Sequence, residues 1–182
     1  KNHFLNDSQP AYFMAFRGKQ PVARVLAGYN MPMSEKTGVP NGYFALFEAE
    51  DEESGLAVLN AAADYCKSLG ATRFFGPQSP TNGEEERALL IEGFGFPPVL
   101  YTAYNPEWYQ NVFIRFGMEK SNDLLAFLLE TDKLPLDRFR KIVHYAERRY
   151  GFHADRIDMN HLDGELRDIQ RILKEAAIEE WD

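Results

Sequence analysis

Residues 42 to 77 hold a strand, an acidic loop, a helix and a second strand in one unbroken unit, and no other feature limits the fold as much. Gly42-Tyr43-Phe44-Ala45-Leu46-Phe47 is an aromatic and aliphatic run of strand length, followed by Glu48, Glu50, Asp51, Glu52, Glu53, Ser54 and Gly55. Leu56, Leu59, Ala62, Ala63, Cys66 and Leu69 then recur at helical spacing until Gly70, which predicts a helix stopped by glycine. Arg73-Phe74-Phe75 resumes a strand that Gly76-Pro77 ends. A strand–helix–strand unit of this size predicts a right-handed parallel crossover in an α/β sheet. In such sheets ligands sit where a strand meets the start of a helix. Here that place is crowded with carboxylates.

The flanking sequence extends the unit in both directions. Ala11 to Phe16 and Pro21 to Tyr29 surround Arg17-Gly18-Lys19-Gln20 and read as a hairpin. Lys1 to Pro10 is polar and reads as loose, and Met31 to Asn41, with Pro32, Gly38 and Pro40, reads as a loop. Ser79 to Gly83 predicts a second loop running into Glu84-Glu85-Glu86, a solvated acidic stretch. Ala88 to Ile91 and Val99 to Tyr104 predict short extended segments around Gly93-Phe94-Gly95-Phe96-Pro97-Pro98. Asn105 predicts an N-cap, with Pro106 in the first turn and Trp108, Val112, Phe113 and Phe116 as the buried stripe of a helix that Gly117 ends. Leu124 to Leu129 reads as a central strand covered on both faces. Beyond a boundary near Thr131 to Leu134, Asp132 to Tyr150 predicts a helix, Phe152 to Met159 a short strand, and Asp163 to Trp181 an amphipathic helix.

Charge and cysteine usage narrow the partners. A net charge of −8 and a pI of about 5.1 argue against nucleic acid and against an anionic membrane surface. No apolar run has the length of a bilayer. Cys66 is the single cysteine, so no internal disulfide forms; with no basic-then-apolar leader at the start, the expected compartment is the cytoplasm. His3, His144, His153 and His161 show no metal-ligand spacing, and no metal is expected.

The order hairpin, strand, helix, strand, helix, Gly117-Met118, strand resembles the GNAT-type N-acetyltransferase superfamily, and Trp108 to Met118 looks like its last helix with the glycine step before the final strand. Phe75-Gly76-Pro77, Leu89-Leu90-Ile91-Glu92-Gly93-Phe94, Pro97-Pro98, Tyr104-Asn105-Pro106 and Tyr109 are similar to a group of longer bacterial GNAT-like proteins with two GNAT-like halves. The resemblance implies an α/β fold of GNAT type: a central mixed sheet flanked by helices, with a C-terminal helix–strand–helix extension. Residues 1–131 would then be a GNAT-like core without its usual opening strand and helices. Residues 132–182 would be a linker helix plus the strand and helix that open a second half.

It further implies an N-acyltransferase-like activity, moving an acyl group from acetyl-CoA or another acyl-CoA to a small-molecule amine. The positions matching the cofactor site are Phe47, Glu48, Ala49, Ser54, Gly55 and Asn105. The superfamily holds the diphosphate on a Gln/Arg-x-x-Gly-x-Gly/Ala loop through backbone N–H groups and the helix dipole. The matching stretch, Glu48 to Gly55, has five carboxylates and only Gly55 as glycine. Two like charges about 5 Å apart repel by roughly 3 kcal/mol at an effective dielectric of about 20, so this half is expected to have a weakened cofactor site. The family's acid, a tyrosine four residues before the helix-ending glycine, is replaced by Phe113, and Tyr109 one turn earlier is the candidate acid. Glu92 is the candidate base, and Phe94, Phe96, Tyr101, Tyr104 and Trp108 are the candidate substrate pocket. The alternative is a non-catalytic domain of the same fold, serving as a scaffold or binding a small apolar ligand. A homodimer, or contact with a second half, is the expected protein partner.

Overall fold

The computed structural model of the protein describes residues 3–79 and 88–176, and the chain divides into two compact units, residues 1–125 and 126–182. The first unit is built on a mixed sheet. Strands β1 (Ala11–Arg17) and β2 (Gln20–Tyr29) make the expected antiparallel hairpin. Its turn places Gly18 at φ +64°, a conformation that suits a residue without Cβ. Strand β3 (Asn41–Ala49) runs antiparallel to β2, and β4 (Arg73–Phe75) runs parallel to β3, so the sheet order is β1-β2-β3-β4. The predicted crossover is therefore present, carried by helix α3 (Glu52–Ser68).

Helix α3 begins at Asp51, whose carboxylate Oδ1 accepts the Ser54 N–H at 2.9 Å. Glu52 and Glu53 in the first turn oppose the positive end of its dipole. Its inner face carries Gly55, Val58, Leu59, Ala62 and Cys66, all buried. That face lies on Ala23, Val25, Ala27, Phe44 and Phe47 of the sheet, joined by Tyr109, Val112 and Phe113 of helix α4 (Tyr109–Phe116). Each fully buried large side chain here contributes about 1.5–3 kcal/mol by leaving water. The opposite face is thinner: Leu26, Tyr43 and Ala45 pack under Leu5 of helix α1 (His3–Asp7), Leu46 and Phe75.

One irregularity decides which side chains β3 buries. Arg24 pairs with Glu48 and Leu26 with Ala45, so Leu46 and Phe47 together oppose Val25 alone. This is a β-bulge, with Leu46 at φ +52°. The extra residue resets the alternation: Phe44, Phe47 and Ala49 all reach the helix side, and Glu48 turns outward. Without the bulge, strict period-two alternation would aim Glu48 into the core.

Several local expectations are corrected. Residues 3–7, read as loose, form α1. Met31–Thr37, read as a loop, is helix α2: Asn30 accepts the Met33 N–H at 3.1 Å and Gly38 closes it at φ +68°. Residues 88–91 and 99–104 carry no ladder among the described residues; at Leu90 the Asn105 side chain takes the N–H at 2.8 Å and returns its amide to the carbonyl at 3.2 Å. Asn105 is thereby withdrawn from capping, and α4 starts later, at Tyr109. Leu124 to Leu129, read as a central strand, pairs with no strand among the described residues. An apolar run becomes a strand only where a neighbouring edge satisfies its backbone. The Glu84-Glu85-Glu86 stretch lies outside the described residues.

The second unit holds helix α5 (Leu136–Tyr150), after a 3-10 turn at Thr131–Lys133, and helix α6 (Leu162–Ala176), after another at Met159–His161. The strand expected over Phe152 to Met159 has no ladder among the described residues. Among those residues no helix is long and apolar enough to cross a membrane.

Candidate functional site

Where β3 ends and α3 begins, the chain brings together side chains far apart in sequence. The Ala49 N–H donates to the Tyr109 hydroxyl at 2.9 Å, and that hydroxyl donates to Glu48 Oε2 at 3.0 Å, with Ala49 O at 3.3 Å. The ladder between β3 and β4 stops at Tyr43 and Phe75. Tyr109 thus supplies the end of β3 with a partner that no strand provides among the described residues. Its ring is buried edge-on against Phe47 (5.0 Å, 76°) and Trp108 (4.7 Å, 79°). Burial pushes the phenol up to about 12, with the Glu48 carboxylate adding to the rise against the Ala49 N–H. A proton so held stays on Tyr109 at neutral pH and fixes the carboxylate beside it. Glu48 itself is exposed, and its cross-strand partner Arg24 is exposed on the same face of the sheet.

The acidic loop is closed by its own ion pairs. Arg17 of the hairpin turn donates to Asp51 Oδ2 at 2.7 Å. Arg115 of α4 pairs with Glu52, and Gln20 donates to Glu50 Oε1 at 3.3 Å. The Arg17 hydrogen bond, with the Ser54 N–H behind it, holds the Asp51 carboxyl at about 2. The Ser54 hydroxyl donates to Asp51 O and to Val22 O. Gly55 is buried so tightly that an added Cβ would lie 3.1 Å from Phe47 and 3.2 Å from Val112.

Of the residues singled out by sequence, Tyr109, Glu48 and Ala49 meet in one cluster, with Ser54 and Gly55 in the adjoining first turn. Phe47 is a core residue under that cluster. Asn105 is buried and anchors the loop at Leu90. Glu92 is exposed on that loop, and among the described residues no hydrogen bond links it to Tyr109 or Glu48. Among the described residues the aromatic group is not gathered into a pocket: Phe96, Tyr101 and Tyr104 are 63–70% exposed, Phe94 is half-buried, and of the group only Trp108 packs on Tyr109. Phe113 is core, 5.1 Å from Phe47 and 5.6 Å from Phe44 between ring centres. Sequence reasoning missed Arg17, Arg24 and Arg115; for Arg24, only the register between β2 and β3, which sets it across from Glu48, could have signalled it. Among the described residues no group of three or more His, Cys, Asp or Glu is placed to hold a metal ion.

No protein-family model matches the chain. The chain is 28% identical to the bacterial ceramide synthase of Caulobacter vibrioides over 183 positions, spanning 99% of this chain and 47% of that protein. It is 33% identical to protein YghO of Escherichia coli over 123 positions, spanning 67% of this chain and 31% of that one. The chain thus spans less than half the length of either relative. Among solved structures, an aminoglycoside acetyltransferase from an uncultured soil metagenomic sample, in complex with trehalose, overlaps 70% of this chain and 69% of its own. That overlap has 11% identity and a TM-score of 0.42, which carries no argument about this chain. The fold established here is α/β, a mixed four-stranded sheet flanked by helices.

Proposed function

We propose that this chain carries an N-acyltransferase-type site, which joins an acyl group from a thioester such as acetyl-CoA or a longer acyl-CoA to a small-molecule amine. The overall reaction converts amine and thioester into amide and thiol. The observation that supports the reading is the Glu48–Tyr109 pair at the strand–helix junction. As the amide forms, the nitrogen gives one proton to the leaving thiolate; before that, the amine, protonated at neutral pH, must lose another so that its lone pair can attack the thioester carbonyl. Glu48 is the carboxylate at the end of β3 that can take that proton, and Tyr109 holds it in one orientation. The relative named a ceramide synthase fits this chemistry, since a ceramide is the amide of a long-chain amino alcohol.

The start of α3, as it stands, does not fit the diphosphate of coenzyme A. The Ser54 N–H is occupied by Asp51, and the nearby cations Arg17 and Arg115 are held by Asp51 and Glu52. A diphosphate there would have to compete with carboxylates of its own sign for the Arg17 and Arg115 guanidinium groups. The same observation favours a second reading, a non-catalytic GNAT-type domain acting as a scaffold or binding a small ligand; Phe113, without a hydroxyl, points the same way.

Thermal melts with acetyl-CoA and with a long-chain acyl-CoA separate the two. A ligand at 100 times its dissociation constant adds about 2.7 kcal/mol of stability. A shift of several degrees with either donor supports transfer, whereas no shift at millimolar donor and no amide product establishes the non-catalytic reading.

A further inference from the structure

Helices α5 and α6 are each 15 residues long, and no residue of either is buried. Each nevertheless carries a complete apolar seam. On α5 it runs through Leu136, Phe139, Val143, Ala146 and Tyr150, with steps of three and four residues; on α6 it runs through Leu162, Leu166, Ile169, Leu173 and Ala176 with the same steps. Phe139, Val143 and Tyr150 are 48%, 50% and 70% exposed, and Leu166 and Leu173 are 47% and 62% exposed. Monomeric proteins rarely leave such contiguous apolar surface in water.

The spacing of the two seams matches whichever way the helices run: laid parallel, Phe139, Val143, Ala146 and Tyr150 fall on Leu162, Leu166, Ile169 and Leu173. Laid antiparallel with Val143 against Ile169, they place Phe139 on Leu173, Ala146 on Leu166 and Tyr150 on Leu162. That is the three-and-four spacing of helices crossing at about 20°. On one flank Ile142 then faces Ile172 and Arg149 faces Glu165; on the other, Glu147 faces Asp163, a single like pair. Charge selects the antiparallel direction. The last turn of α5 carries Arg148 and Arg149, and the first turn of α6 carries Asp163 and Glu165. Antiparallel helices bring these ends together and oppose their dipoles, whereas a parallel arrangement sets Arg148 and Arg149 against Lys174.

Among the described residues most of each face is exposed within one copy, with Ala146 and Ile169 half-buried. We infer that the faces are a self-association surface: α5 of one copy seats on α6 of a second, and a two-fold axis repeats the contact. The inference is independent of any acyl transfer at Glu48, so each can fail without the other.

The test uses the 182-residue chain in sedimentation velocity and light scattering. The expected mass is twice 20.9 kDa. Arg149→Glu and Glu165→Arg chains should each associate at least about tenfold more weakly than the unaltered chain. An equimolar mixture of the two should recover the association, because both contacts are again complementary. A Val143→Cys chain mixed with an Ile169→Cys chain should form an interchain disulfide under mild oxidation, with the buried Cys66 as a silent background. A monomer at all concentrations up to about 0.1 mM, indifference to both charge reversals, or no recovery in the mixture would each overturn the inference. The two altered positions are exposed, and unchanged helicity of each variant by circular dichroism confirms that it is folded.

Discussion

Replacing Tyr109 with phenylalanine removes one oxygen and tests how the end of β3 is held. The ring stays, so its edge-on contacts with Phe47 and Trp108 persist. What is lost is the acceptor for the Ala49 N–H at 2.9 Å and the donor to Glu48 at 3.0 Å. The half-buried Ala49 N–H is left without a partner, at about 1 kcal/mol, while the exposed Glu48 carboxylate rehydrates and loses about 0.5 kcal/mol. The expected total is about 1.5 kcal/mol, or about 4–6 °C in Tm for a unit of this size. Truncation to alanine, which also empties the ring's site, should cost about 3–5 kcal/mol. Urea and thermal melts measure both, and hydrogen exchange at the Ala49 amide should accelerate in Tyr109→Phe. A pH series adds a sign. The folded state holds the Tyr109 proton up to about 12 against an ordinary 10, so its contribution is complete below pH 10 and is lost as pH rises towards 12. The phenylalanine variant should lack that part of the alkaline loss. A variant as stable as the parent, with unchanged exchange at Ala49, would refute the claim that this hydroxyl completes the strand.

Three further outcomes follow from the same packing. Gly42→Ala would put a Cβ 2.5 Å from Cys66 Cβ and 3.1 Å from Ala71 Cβ; it should destabilise by about 1–3 kcal/mol in urea melts. Asp51→Ala should lower Tm at neutral pH, and because the folded Asp51 carboxyl is depressed to about 2 from 3.8, the gap to the parent should persist above pH 4 and close as pH falls to 2. Burial pushes the Cys66 thiol up to about 11, so iodoacetamide should label it only after denaturation, as mass spectrometry would show.

The parts legible in the sequence were those whose signals are local. The Gly18 turn, the 3.6 spacing from Leu56 to Cys66 and the stop at Gly70 were enough for the hairpin and the crossover. Helix α2 was misread although its punctuation is complete: Pro32 in the first turn and Gly38 at the end mark a short helix as well as they mark a loop, and the cap at Asn30 decides between them. Asn105 looked like a cap because Pro106 follows it, yet its amide is taken by Leu90, a partner that only the tertiary fold supplies. The apolar run from Leu124 to Leu129 has strand composition but no adjoining edge. The acids before α3 were visible as a crowd, but not their pairing with Arg17 and Arg115. The site's central contact joins residues 61 apart, and it depends on a bulge at Leu46 that no residue pattern announces. A bulky residue such as leucine is rarely found at positive φ, so the composition gives no hint of it.

The most direct measurement is the rate of amide formation from an acyl-CoA and a long-chain amine, compared between the parent chain and Glu48→Gln. The glutamine keeps the shape and can still accept from Tyr109, but it cannot take the amine's proton. A measurable parent rate that falls by about a hundredfold or more, with donor binding unchanged, is the predicted result. Equal rates in the two chains, or no product from either, would contradict Glu48 as the base of an acyl-transfer site.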